Sequence, residues 1–334
     1  MNNKLLTYTL SAFLFVFPVH LVFIFLKNLL YDFGVLKGEN VGAKVISIGN
    51  IALGGTGKTP TTIAVANFLE KNGYSVGIVS RGHGRENISN DFLLKNQSWR
   101  ECGDEVVLLK NNTSSNTRIF VSLNKVYAAK QLSKMGCNVV LLDDGFQHRR
   151  IDRDVDVVLL GPENQNKGCQ LIYPYGLLRE PLCYLKRADI TINTKNNLVK
   201  DTGLKSDHTL DLKIKEEVLS SSSIKNIYDL ANKSGMVSVC SIGDPESFSK
   251  TLEGININVD KKLVFPDHWP FSLHDVEEIN RLALQEDLKH IVCTEEDSVK
   301  LVEFKQQLKV DINAVIMNHQ LSGEIERDIL SRLI

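Results

Sequence analysis

The chain has 334 residues and a mass of 37.4 kDa, a length that corresponds to about two domains of ordinary size. Hydrophobic residues make up 43% of it and charged residues 24%, which excludes a disordered or fibrous protein. Its net charge of -1 lacks the basic excess of a general nucleic-acid-binding protein, so we expect no nucleic-acid partner. A mean hydropathy of -0.09 excludes a polytopic membrane protein. The six cysteines form no Cys-x-x-Cys pair, so the sequence suggests neither a zinc ribbon nor a disulfide framework.

The first predicted element is an apolar helix from Thr9 to Leu26. A bilayer core needs about 20 apolar residues, and Pro18 and His20 lie near the middle of this segment, so its length is borderline. No small-residue cleavage site follows, which argues against a secretory signal, and a core helix is the other alternative. We expect residues 1–36 to form a membrane-associated helix. Whether it spans the bilayer or lies in the interface stays open, because lysines flank both ends.

The next elements indicate a parallel sheet. A β-branched strand at Ala43–Ile48, a Gly-rich loop, a helix at Pro60–Glu70 and a strand at Ser75–Ser80 form a βαβ unit. Further elements of the same kind follow: strands at Arg118–Ser122, Asn138–Leu142 and Val155–Leu160, and a helix at Lys125–Met135.

The second half of the chain is also α/β. Strands are predicted at Ala188–Asn193, Gly235–Gly243 and Ile291–Thr294, with helices at Asp275–Asp287 and Glu296–Phe304. The polar segment Thr202–Tyr228 is typical of a surface hairpin or insert. The predicted fold is a parallel sheet flanked by helices, over residues 37–163, with a smaller α/β domain over residues 164–334.

A variant phosphate-binding loop follows the first strand and opens the first helix of this unit. The loop comprises Ala52, Leu53, Gly54, Gly55, Thr56, Gly57, Lys58 and Thr59. Glycines let backbone N–H groups turn toward phosphate oxygens, Lys58 reaches the β- and γ-phosphates, and Thr59 can ligate Mg²⁺. The strict pattern has Gly where Ala52 stands. With this loop between a strand and a helix, the parallel sheet of residues 37–163 is predicted to be P-loop NTPase-like. The Asn-Lys pairs of the chain lack the Asp that reads guanine in regulatory GTPases, so ATP is the expected nucleotide.

An acidic pair is predicted beside this loop. Asp143 and Asp144 end an apolar strand, where a carboxylate can hold Mg²⁺ at the carboxyl edge of the sheet. Gln147 and His148 follow closely and would face the same edge.

Two further clusters carry candidate chemistry. Asp104 and Glu105 lie in a polar region, where they could serve as a base or a metal site or form a solvated turn. His268 follows Asp267 in a turn between two prolines, although a lone histidine is more often structural than catalytic.

From about Lys44 to Leu301, the chain resembles the tetraacyldisaccharide 4'-kinase family of the lipid A pathway. The motifs that carry the resemblance are Ser47–Asn50, Gly54–Pro60, Ser80–Arg85, Gly103–Glu105, Asp143–His148, Gly176–Pro181, Ile242–Phe248, Asp267–His268 and Thr294–Lys300. The chain departs from the family where His83 replaces Tyr, Val106 replaces Pro, Lys125 replaces Arg and Glu296 replaces Lys. Lysine at position 125 keeps the positive charge but lacks the guanidinium group, which can bind a phosphate through two hydrogen bonds.

The resemblance implies transfer of the ATP γ-phosphate to the 4'-hydroxyl of a tetraacylated disaccharide 1-phosphate, which forms lipid IVA at the cytoplasmic face of the inner membrane without a protein partner. The catalytic residues implied are Asp104, His268 and Lys58; the Mg²⁺ ligands are Thr59, Asp143, Asp144 and Glu105; the substrate-binding residues are Arg81, His83, Gln147, His148, Arg179 and Lys125. Which carboxylate is the base stays open. The alternative is a membrane-associated P-loop switch ATPase that acts on a protein partner.

Overall fold

Two β-sheets flanked by helices form the part of the chain that the computed structural model describes, which is residues 21–161, 171–173, 175–195, 204–221 and 226–333. The strands of the first sheet are β1 (Lys44–Asn50), β2 (Val76–Ser80), β3 (Phe92–Leu93), β4 (Arg118–Val121), β5 (Val139–Asp143), β6 (Val155–Leu160), β7 (Ile190–Thr194) and β8 (His208–Leu210). Their order is β3-β4-β2-β5-β1-β6-β7-β8, and all neighbours are parallel except β3 and β4.

The second sheet is smaller. Its strands are β9 (Leu212–Ser220), β10 (Met236–Cys240), β11 (Lys261–Val264), β12 (His290–Thr294) and β13 (Asp311–His319). Their order is β11-β10-β12-β13-β9, and β9 is the antiparallel edge strand.

The helices cover both sheets. They are α1 (described over 21–32), α2 (Lys58–Lys71), α3 (Trp99–Cys102), α4 (Asp104–Asn112), α5 (Lys125–Lys134), α6 (Ile227–Ala231), α7 (Pro245–Gly254), α8 (Leu273–Gln285), α9 (Glu295–Leu301) and α10 (Gly323–Leu333), with 3₁₀ turns at Leu182–Arg187 and Val302–Phe304. The central strands are buried throughout because helices pack on both faces, and this explains their nearly continuous apolar sequences.

The predicted fold class is confirmed, with one error in the second half. The segment Thr202–Tyr228 is not a surface hairpin or insert, because β8 pairs with β7 in the first sheet and β9 pairs with β13 in the second. The segment looks polar because β9 is an edge strand that has mainly partly or fully exposed residues between its buried positions.

Two observations bear on the predicted domain boundary at residue 163. Strands β7 and β8 extend the first sheet beyond that residue, and Ile325 and Ile329 of α10 pack into the core of the first sheet. We therefore propose that the first unit includes residues up to about 210 and the C-terminal helix, with the second sheet inserted between them.

Helix α1 is attached to the first unit by a polar contact surface. Its Asn28 is buried and donates from Nδ2 to Glu180 at 3.1 Å, and Asp32 forms an ion pair with Arg149 at 2.8 Å. The predicted segment Thr9–Leu26 is helical from residue 21, and residues 9–20 lie outside the described part. Among the described helices, none is both long enough and apolar enough to cross a bilayer.

Candidate active site

A cleft of about 410 Å³ lies between the two sheets, at the carboxyl end of β1 and β5. The P-loop from Leu53 to Thr59 forms its floor. Its walls come from both halves of the chain and include Arg81, His83, Glu105, Asp143, Asp144, Arg179, Lys195, Asp244, His268 and Glu296. Residues from several separate sequence motifs therefore line one cavity.

The P-loop is held in place by neighbouring strands. Thr56 accepts a hydrogen bond from Asn50 Nδ2 at 3.0 Å through its hydroxyl, and from Thr194 Oγ1 at 2.8 Å through its carbonyl. Gly57 has φ 81°, a left-handed conformation that a residue without Cβ adopts easily, and α2 starts at the next residue. Lys58 and Thr59 thus occupy the first turn of α2. Ala52 is buried and pairs with Leu178, outside the cleft lining.

The carboxylates near Thr59 form a set of hard oxygen donors. Thr59 Oγ1 lies 3.3 Å from Glu105 Oε1, and Asp143 contacts the hydroxyl oxygens of Thr62 and Ser80 at 3.4 and 3.5 Å. Burial and the charge of Glu105 raise the pKa of Asp143 to about 7, and burial also raises the pKa of Glu105. A divalent cation would relieve this repulsion, so Thr59, Glu105 and Asp143 fit Mg²⁺.

Asp144 differs from Asp143 because it already has a cationic partner. Arg179 NH1 lies 2.7 and 2.9 Å from the two carboxylate oxygens of Asp144. Burial would raise the pKa of Asp144, but the charges of Lys58, Arg179 and Lys125 outweigh it and lower the pKa to about 2. Asp144 is thus ionised at neutral pH and can contact a bound cation together with Asp143.

Lys125 contacts the backbone of the Asp143–Asp144 turn. It is fully buried, and its Nζ donates to the backbone carbonyls of both aspartates. Burial lowers its pKa to about 8. Lys125 is not among the residues that line the cleft, so we assign it a positioning role in place of the substrate contact predicted from sequence.

The other predicted substrate residues fall into two groups. Arg81, His83 and Arg179 line the cleft. Gln147 lies behind it and donates from Nε2 to Asn50 O at 2.8 Å and Glu180 Oε1 at 3.0 Å.

His148 also lies outside the cleft lining, and its buried Nε2 has no hydrogen-bond partner among the described residues. Burial and the charge of Lys125 lower its pKa to about 4, so the side chain is neutral.

Asp104 and His268 are in contact across the two halves of the chain. The Asp104 carboxylate, at the start of α4, has both oxygens 3.1 Å from His268 Nδ1, and Lys300 Nζ contacts it from the other side at 3.1 Å. Burial would raise the pKa of Asp104, but the hydrogen bond and charge of His268 and the charge of Lys300 hold it well below its usual range. Asp104 is therefore a buried, ionised carboxylate with two cationic neighbours.

His268 has a second carboxylate partner in Glu296. Nδ1 of His268 lies 2.9 Å from Glu296 Oε1. Burial would lower the pKa of His268, but the hydrogen bond to Asp104 and the adjacent carboxylate of Glu296 raise it to about 11. His268 therefore stays protonated at neutral pH.

Several residues of this site are not predictable from the sequence alone. Lys300 and Glu296 belong to the Thr294–Lys300 motif, which was noted without a role. Lys195 forms an ion pair with Asp244 at 2.7 Å beside the P-loop, at the opposite side of the cleft. No local pattern signals this pair, because its members are brought together from the end of β7 and the start of α7.

Comparisons with known proteins identify the family of this chain. A sequence profile described as tetraacyldisaccharide-1-P 4'-kinase matches residues 10–334. Curated proteins named tetraacyldisaccharide 4'-kinase are 33% identical over 84% of this chain and 81% of the relative in Syntrophus aciditrophicus, and 30% identical over 91% of this chain and 86% of the relative in Halothermothrix orenii.

A solved structure has the same fold. The crystal structure of LpxK from Aquifex aeolicus in complex with ATP has a TM-score of 0.74 and 25% identity, and the match covers 97% of this chain and 99% of that one. The P-loop, the acidic edge and the match over nearly the whole chain together show that this chain belongs to the tetraacyldisaccharide-1-P 4'-kinase family.

Proposed function

We propose that this protein transfers the γ-phosphate of ATP to the 4'-hydroxyl of a tetraacylated disaccharide 1-phosphate and forms lipid IVA. The observation that carries the proposal is the convergence of Lys58, Glu105, Asp143 and His268 in one cleft, with buried Asp104 in contact with His268 directly behind the cleft wall. The first three suit a Mg-nucleotide, and the last two suit an acceptor hydroxyl. Family membership supplies the identity of the acceptor.

The nucleotide side of the reaction depends on the start of α2. Backbone N–H groups of the P-loop and the helix N-terminus bind phosphate oxygens, and Lys58 stabilises the charge that develops on the transferred group. Mg²⁺, held by Thr59, Glu105 and Asp143, would supply further charge neutralisation on the phosphates.

Asp104 is the proposed acceptor of the hydroxyl proton. The hydroxyl oxygen forms a bond to phosphorus, the bond from phosphorus to the β-phosphate oxygen breaks, ADP leaves, and the proton passes to the Asp104 carboxylate. A carboxylate with a lowered pKa is a weak base, but phosphoryl transfer has a loose transition state and demands orientation more than base strength. His268 and Lys300 orient the carboxylate by donating to it.

The acceptor assignment predicts a clear pattern in a coupled ADP-release assay with detergent-solubilised tetraacyldisaccharide 1-phosphate. Asp104→Ala should lower kcat by more than 100-fold, on the order of the loss of a positioned proton acceptor, with little change in the KM for ATP. Asp152→Ala is the matched control, because that carboxylate is exposed. ATP consumption that requires a protein fraction and ignores the lipid would instead support the switch ATPase.

We also propose that helix α1 attaches the enzyme to the cytoplasmic surface of the inner membrane. Several large apolar side chains of α1 and the following turn are exposed, while the polar contacts of Asn28 and Asp32 hold the helix to the first unit. The exposed apolar side chains are Val22, Phe23, Phe25, Leu26, Leu30 and Phe33. Such a surface suits an interfacial helix, and an acylated acceptor is found in a membrane.

Vesicle flotation tests this attachment. A Phe23→Ser/Phe25→Ser double variant should no longer float with phospholipid vesicles. Both rings are exposed and contribute no core packing, so the fold should be unaffected. Leu284→Ser is the matched control, because Leu284 is an exposed apolar residue of the second unit. Equal flotation of the double variant and wild type would assign the attachment to another surface.

A further inference from the structure

One histidine of the second sheet contacts the P-loop from behind, away from the catalytic carboxylates. His319 is the last residue of β13, and Leu321, two residues later, already packs in the core of the first sheet. His319 therefore stands where the chain leaves the second sheet and returns to the first. Its side chain is buried, with 5% of the residue exposed.

The imidazole covers the last glycine of the loop. A Cβ placed on Gly57 would lie 2.4 Å from Cε1 of His319 and 3.1 Å from its Nε2, so the ring occupies the space that a side chain at residue 57 would need. Gly57 has the left-handed conformation that directs the chain into α2. The ring thus packs directly against the backbone whose N–H groups are expected to contact phosphate.

A hydrogen-bond chain fixes the ring relative to the loop. Thr61 Oγ1 donates to the carbonyl of Gly57 at 2.8 Å, and His319 Nδ1 lies 2.8 Å from the same Oγ1. The hydroxyl has a single proton, so Nδ1 must carry the proton of the imidazole and donate it to Thr61. Burial and the charge of Lys195 lower the pKa of His319 to about 3, which agrees with a neutral ring.

We propose that His319 is a positioning residue for nucleotide binding, which holds the P-loop at Gly57 through Thr61 and links that loop to the second sheet. The proposal rests on the proposed function, because it assumes that the P-loop binds Mg·ATP. His319 contacts neither the phosphates nor the acceptor in this account. It acts through the backbone of Gly57.

Substitution of His319 by asparagine or glutamine distinguishes a hydrogen-bonding role of its side chain from a role in filling space. An Asn side chain places its amide nitrogen close to the position of Nδ1, whereas a Gln side chain places its amide close to Nε2. His319→Asn should therefore keep the hydrogen bond to Thr61, and His319→Gln should lose it although it fills more of the space.

Titration calorimetry with Mg²⁺ and a non-hydrolysable ATP analogue provides the test. His319→Ala and His319→Gln should each weaken binding about tenfold, equivalent to about 1.4 kcal/mol, and His319→Asn should stay within about twofold of wild type. Thr61→Val should match His319→Ala, and the double variant should lose no more than either single variant. His290→Ala is the control, because His290 is at the opposite end of the parallel strands β12 and β13.

Several results would overturn the proposal. They are wild-type affinity in His319→Ala, equal losses in His319→Asn and His319→Gln, or additive losses in the Thr61 double variant. These outcomes leave the proposed function intact as long as the wild type phosphorylates the lipid. A wild-type protein that binds the analogue but does not phosphorylate the lipid would reject the proposed function. The role of His319 in nucleotide binding would still be tested by the affinities of the same variants.

Discussion

Replacement of Lys300 by methionine tests the buried charge cluster behind the catalytic carboxylate. The Lys300 side chain is 0% exposed, and Nζ lies 3.1 Å from Asp104 Oδ2 and 3.3 Å from Asp297 Oδ1. Ser241 Oγ lies 2.9 Å away as the third partner. Methionine preserves most of the length and packing of the side chain, so Lys300→Met removes chiefly the charge and its hydrogen bonds.

The expected loss is large because the remaining charges stay buried. Asp104 and Asp297 have side chains that are 3% and 0% exposed, and neither can recover its hydration when Lys300 is removed. Breaking a buried ion pair on one side costs about 3–5 kcal/mol. We therefore expect Lys300→Met to lower the free energy of unfolding by about that amount.

Urea denaturation followed by circular dichroism measures this loss. Lys262→Met is the matched control, because the side chain of Lys262 is 49% exposed and its Nζ is 3.8 Å from Glu253. An exposed pair of this kind contributes about 0–1 kcal/mol. Adding Asp297→Asn to Lys300→Met should restore part of the stability, since it removes one of the uncompensated charges. Equal small losses in Lys300→Met and Lys262→Met would refute the buried cluster.

Three further predictions concern the cleft. Lys58→Ala should reduce turnover to near background in a folded protein, because the charge on the transferred phosphoryl group loses its main stabiliser; near-normal rates would reject the P-loop assignment. Asp143→Ala should raise the Mg²⁺ concentration needed for half-maximal rate, and Asp152→Ala should not; equal responses would remove Asp143 from the metal site. The pKa of His268 is raised to about 11, so its protonated form stabilises the fold most below about pH 6.5, its unfolded value, and the advantage of wild type over His268→Gln in urea denaturation should shrink as pH rises from there toward 11. An advantage that grew with pH would contradict the ion pairs of His268.

The positions of site residues could be predicted from sequence where they depend on local order along the chain. The P-loop was predictable because its glycines, Lys58 and Thr59 must lie in register between a strand and a helix. The aspartates at the end of β5 were predictable because the carboxyl ends of parallel strands meet at one edge, and Ile48 of β1 indeed pairs with Asp143.

The remaining part of the site depends on contacts between distant segments. Lys300 reaches Asp104 across 196 positions in the chain, and His319 reaches Thr61 across 258. No spacing rule indicates which lysine or histidine of the second unit faces a given residue of the first.

The direction in which a side chain points also cannot be predicted from the local sequence. The family resemblance implies that Lys125 binds substrate, yet its Nζ faces the backbone carbonyls of Asp143 and Asp144. The outcome depends on how α5 packs on the sheet. A positively charged residue near a catalytic motif thus predicts proximity to the site and leaves its role undetermined.

The identity of the phosphorylated atom is the central claim, and ³¹P NMR of the purified lipid product tests it most directly. Wild type incubated with Mg·ATP and tetraacyldisaccharide 1-phosphate should yield a lipid with one new phosphomonoester signal, whose phosphorus couples to the proton on carbon 4' of the distal sugar. The Asp104→Ala protein should yield the unmodified acceptor. Release of inorganic phosphate from ATP with an unchanged lipid, or a new phosphate on any other carbon, would contradict the account.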